Sequence, residues 1–174
     1  KRFFQGLPSP AAAALIAGFV WLAIDNKIPV RDSVMPWVAF ALMVIGGAVN
    51  NYAVYDGSSS VMMTSYVPMM AAQSFYLGLI LFAVGALIAC FVFFGTLVIG
   101  RTLVVAKREK TYDGSVPLVT FGATTAAVIA VFTIVSGAMI LIPTWLMSIG
   151  LVTSVDPLAY RVIWWAFGHS SQQI

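Results

Sequence analysis

The chain has 174 residues, of which 61% are hydrophobic and only 9% charged, with a mean hydropathy of +0.98. Soluble domains run about 45–50% apolar and about 25% charged, so the composition excludes an ordinary soluble globule, a disordered tail and a nucleic-acid-binding module. An isoelectric point near 9.2 rests on nine Lys and Arg against six Asp and Glu, and these lie in short clusters between apolar runs, as in membrane-protein loops.

A membrane-spanning helix needs about 20 apolar residues. The first such run, 8–24, is uncharged and has prolines at its start, where a missing N–H costs nothing. A polar loop over 25–33 carries Asp25, Lys27, Arg31 and Asp32. The second span is predicted over 34–53. A loop rich in Ser, Gly and Asp follows at 56–60, and the third span is predicted over 75–99, where Gly78, Gly85 and Gly95 allow close helix packing. The most charged loop comes next, with Arg101, Lys107, Arg108, Glu109, Lys110 and Asp113. Pro117 opens a fourth span predicted to end near 142, and Pro143-Thr144-Trp145 begins a short interfacial stretch, Trp being favoured at headgroup level. Asp156-Pro157 reads as the cap and first residue of a fifth helix.

The fold class expected is therefore all-α: a polytopic transmembrane bundle of about five spans, the last cut short at Ile174. A start at Lys1 and a stop inside an apolar segment point to a piece of a longer protein. The loops at 25–33 and 101–113 share one side and hold six Lys and Arg, whereas the opposite side holds only Lys1 and Arg2. The positive-inside rule then makes 101–113 cytoplasmic, with the fifth helix descending from the outer face. Cys90, the only cysteine, sits in an apolar run and has no intramolecular partner for a disulfide.

His169, the only histidine, falls 12 residues after Pro157, about 18 Å along the helix and near the bilayer midplane. An ionisable group at that depth is costly unless paired or ligated, and imidazole is a common ligand for redox metals. Two readings stay open on position alone: a metal ligand, or a neutral imidazole donating one hydrogen bond to a neighbouring helix. Gln173 lies four residues on and shares the face of His169. Arg161, in the first two turns, reads as a side chain reaching to the interface. Tyr66, Tyr76, Asn50 and Asn51 either line a polar path or serve packing and anchoring. One histidine cannot make a metal site, so copper or iron needs ligands from other segments.

From about residue 36 onward the chain resembles the catalytic subunit I of heme-copper oxidoreductases, nearest the B-type oxidases and their nitric-oxide-reducing relatives. The residues that carry the likeness are Thr64-Ser65-Tyr66-Val67-Pro68, Ser74-Phe75-Tyr76-Leu77-Gly78, Val116-Pro117-Leu118-Val119-Thr120 and Ile142-Pro143-Thr144-Trp145. Most specific is Asp156-Pro157-Leu158-Ala159-Tyr160-Arg161 running into Trp164-Trp165-Ala166-Phe167-Gly168-His169. The resemblance implies that residues 46–174 form a partial subunit I domain, helices III to VI, in a bacterial or archaeal cytoplasmic membrane. It implies heme and copper in the complete subunit, with the lipid bilayer, the other helices of the subunit and an electron-donating subunit or cytochrome as partners, and no nucleic acid. It places the III–IV and V–VI loops outside and the IV–V loop inside, in agreement with the charge count.

By the same resemblance His169 matches the helix VI histidine that ligates copper, Trp164 and Trp165 pack around the cofactor centre, and Gln173 is the candidate catalytic residue. Many oxygen reductases carry at the position of Gln173 a tyrosine that supplies an electron and a proton for O–O cleavage. Glutamine is no redox donor, which favours reduction of NO to N2O, a reaction needing no tyrosyl radical, over reduction of O2 to water.

Residues 1–45 resemble a second family, the C-terminal helices of bacterial CDP-diacylglycerol–serine phosphatidyltransferase. The matching text is Arg2-Phe3-Phe4-Gln5-Gly6-Leu7-Pro8-Ser9-Pro10, four alanines, and Gly18-Phe19-Val20-Trp21. That family's aspartate-rich catalytic signature is missing: Asp56-Gly57-Ser58 begins like it but lacks the later aspartates. Phosphatidyl transfer therefore has no catalytic residues here; the two likenesses together imply a chimera joined near residue 45, and the alternative functions are a fragment of a CDP-alcohol phosphatidyltransferase of phosphatidylserine synthesis and a non-catalytic membrane scaffold.

Overall fold

A computed structural model describes residues 34–59, 70–107 and 118–173. Among them there are four helices and no strand: α1 (Met35–Tyr55), α2 (Gln73–Lys107), α3 (Leu118–Ser148) and α4 (Pro157–Gln173). α1, the Gln73–Ile99 part of α2, and α3 are long and apolar enough to cross a membrane. α4 has 17 residues. The first expected span, 8–24, and the loop at 25–33 lie outside the described residues, as do Tyr66 and Val116-Pro117.

The helices pack in chain order, α1 on α2, α2 on α3 and α3 on α4. α1 and α2 run antiparallel and meet backbone to backbone. A Cβ on Gly46 would stand 2.5 Å from the Phe82 amide nitrogen, one on Gly78 2.6 Å from that of Asn50, and one on Gly85 2.7 Å from the Ala39 carbonyl oxygen. Glycine's missing side chain is what lets the two helices approach so closely. Where α1 ends and α2 begins, buried Asn50 donates from Nδ2 to the Phe75 carbonyl at 3.3 Å. Asn50 thus serves packing rather than a polar path. Gly95, which shares the third span with Gly78 and Gly85, has no atom within 4 Å of its Cβ position and faces open space. Spacing alone put it with the other two; the crossing lies wholly in the first half of α2.

Two apolar clusters occupy opposite ends of the bundle. At one, Ala53, Phe75, Tyr76, Ile140, Leu141, Tyr160 and Trp164 bring all four helices together. At the other, Cys90 and Phe93 of α2 pack against Ala123, Ala127 and Ala130 of α3. Tyr76 is fully buried, and its hydroxyl accepts the Ala71 amide at 3.1 Å, so it holds the α2 entry in place.

Helix ends follow local chemistry. α3 closes on Gly150 at φ +80°, with the Gly150 amide on the Met147 carbonyl at 3.1 Å and the Leu151 amide on the Leu146 carbonyl at 2.9 Å, the paired bonds of a left-handed C-cap. α1 closes on Gly57, also at φ +80°, but here the Ser58 amide turns to the Asp56 carboxylate at 2.9 Å and the Ser58 hydroxyl donates to the Ala53 carbonyl at 3.1 Å. A side-chain hydroxyl thereby takes the place of the missing backbone donor.

Two expected boundaries move. The third helix runs to Lys107, so the charged stretch beginning at Arg101 is helical at first. The fourth does not stop at residue 142: Pro143 lies inside α3, which continues to Ser148. Proline removes one ladder bond, but a spanning helix tolerates the loss when hydroxyls and neighbours serve the backbone. Pro143 deprives the Met139 carbonyl of its ladder donor, while the nearby hydroxyls serve other carbonyls, Thr144 that of Ile140 at 2.7 Å and Ser148 that of Trp145 at 2.6 Å.

Candidate functional site

α4 begins where the sequence places it. Pro157 occupies the first helical position, Asp156 Oδ1 accepts the Leu158 amide at 2.8 Å, and the Asp156 carbonyl accepts the Tyr160 amide at 2.9 Å. The carboxylate also lies at the positive end of the helix dipole. From this fixed start the chain turns through 12 residues to His169 without a break.

The two sides of α4 differ. Tyr160 and Trp164 face inward, their rings stacked 5.6 Å apart at 8°, both buried in the four-helix cluster. Gly168 makes room for that pair, since a Cβ there would stand 3.0 Å from Trp164 Nε1. On the same side the Ser136 hydroxyl of α3 donates to the Ile163 carbonyl at 3.1 Å. Leu158, Arg161, Val162, Trp165 and His169 are exposed on the other side. Trp165 and His169, one turn apart, bring their rings to 5.4 Å at 49°.

Of the residues singled out from the sequence, Trp165 and His169 therefore come together, and Gln173, the last residue of α4, follows His169 by four positions in unbroken helix. Trp164 is turned away into the core. Adjacent residues on a helix differ by about 100°, so two consecutive tryptophans never share a face. Ser136 and Gly168 were not evident from the sequence; the one signal for Ser136 was its pairing with Gly137 as two small residues in an otherwise bulky run. Among the described residues no group of three or more His, Cys, Asp or Glu is placed to hold a metal ion. The donor set present fits one ligand position, an accessible imidazole on an outward face, and no more.

An all-helical bundle with three candidate spans among the described residues defines a class, the multi-pass membrane proteins. The family model for cytochrome c and quinol oxidase polypeptide I matches residues 10–174, and the chain belongs to that family, as a membrane segment of a heme-copper oxidase subunit I. A solved heme-copper terminal oxidase dimer, determined by cryo-electron microscopy, is 32% identical and superposes with a TM-score of 0.73 over 86% of this chain and 25% of its own. The chain thus spans a quarter of the length of that structure. No curated protein matches. The family match runs through residues 10–45, and nothing in the comparisons supports the phosphatidyltransferase likeness of that stretch. Membership implies heme and copper in the complete subunit.

Proposed function

We propose that this chain supplies one copper ligand, His169, to the heme-copper centre of the complete subunit, which reduces a diatomic molecule, NO to N2O in preference to O2 to water. The observation that carries the reading is the outward imidazole of His169 on a helix whose other side buries Tyr160 and Trp164 in the four-helix cluster. A neutral imidazole suits copper. Trp165 lies against it and restricts its ring; Trp164 acts at one remove, by anchoring the helix. When bound, heme and copper supply the electrons and the positions at which a diatomic ligand is held. Gln173, on the His169 face, donates or accepts a hydrogen bond to such a ligand or to water and carries no electron, which supports NO as substrate. The remaining copper ligands and the axial heme ligands belong to other parts of the subunit, as does the docking of the electron donor.

Replacing His169 with Ala in the complete subunit tests the assignment. Copper per heme is expected to fall close to zero while the heme absorption bands persist; undiminished copper refutes ligation.

A further inference from the structure

The rotation of α4 about its own axis decides which residues its outer side presents. A shift of one residue turns the helix by about 100°, enough to carry His169 off the outward face. The Tyr160–Trp164 stack and its apolar neighbours favour burial of that side, but apolar contact is non-directional and permits sliding. The Ser136 hydroxyl is directional. It donates at 3.1 Å to the Ile163 carbonyl, whose second lone pair is available beside the helix's own ladder bond. Gly137 beside it is buried and adds no side chain between the two helices. Ile163 precedes His169 by six residues, about 9 Å along the axis.

We propose that Ser136 is the positioning residue for His169: its hydrogen bond to the Ile163 carbonyl fixes the rotation and depth of α4 and so the direction in which the imidazole is presented. The consequence for copper rests on the ligand role of His169; the tether between α3 and α4 does not.

In the complete, cofactor-loaded subunit, Ser136→Ala removes only the hydroxyl and Ser136→Thr retains it. Amide hydrogen exchange over residues 163–169 is expected to quicken about fivefold in the Ala variant, the factor that one net hydrogen bond of about 1 kcal/mol represents. Copper should be lost to a chelator several-fold faster with heme content unchanged, and the Thr variant should restore both. Exchange at the wild-type rate overturns the tether, and faster exchange with unchanged copper retention overturns the positioning role. Should the Ala variant fail to assemble, Ser136→Cys substitutes a weak donor of similar size. Quickened exchange in it supports the proposal, and wild-type exchange overturns it. If His169→Ala keeps its copper, the ligand role falls and the exchange measurement still decides the tether.

Discussion

At the residue scale, Asp56 shows how a polar side chain closes a spanning helix. The Ser58 side chain beside it and, after that, the Ser58 amide donating at 2.9 Å favour the ionised carboxylate and hold Asp56 below its ordinary value of 3.8. A carboxyl whose pKa is lower folded than unfolded contributes stability that is present above the unfolded value and is lost as pH falls through the folded one. The Ser58 amide proton resonance should therefore titrate with a midpoint under 3.8. A midpoint at or above that value removes the cap from the account of α1. The same scale explains what of the site was legible. Asp156-Pro157 fixes a helix start, and counting from it places His169; no comparable local rule says which of Trp164 and Trp165 turns inward, because that depends on what α3 presents.

At the scale of elements, the crossing of α1 and α2 separates glycines that spacing cannot. Gly78→Ala places a methyl group 2.6 Å from the Asn50 amide nitrogen, a clash with backbone that only a shift of the whole helix relieves. A destabilisation of about 1–3 kcal/mol is expected from overpacking of this kind. Gly95→Ala meets nothing and should leave stability unchanged or raise it by up to about 1 kcal/mol, since glycine is the poorer helix former. Unfolding of the two variants in mixed detergent micelles distinguishes them, and equal effects would contradict the crossing. The spans over 34–53 and 75–99 were legible because uncharged runs of that length have few other homes. The end of the fourth was not, because a proline that ends helices in soluble proteins is tolerated inside spanning ones, and Pro143 lies within α3.

At the scale of the whole molecule, the described residues hold one imidazole and no three-ligand cluster, so the chemistry requires the parts of the subunit that this chain does not span. The isolated chain in lipid nanodiscs should consume neither NO nor O2 from a reduced donor, whereas the complete subunit should consume NO. Oxygen consumption by the complete subunit without NO consumption would count against the role given to Gln173.

α2 has 35 residues, about 52 Å of helix against a hydrocarbon core of about 30 Å. Its apolar part ends at Ile99, two residues before Arg101. The excess length belongs outside the hydrocarbon, where the sequence from Arg101 to Lys107 turns charged. α1 carries no charged residue between Met35 and Tyr55 and meets one, Asp56, at its C-cap. Locked to α2 through Gly46, Gly78 and Gly85, α1 cannot change its level in the bilayer without taking its neighbour with it.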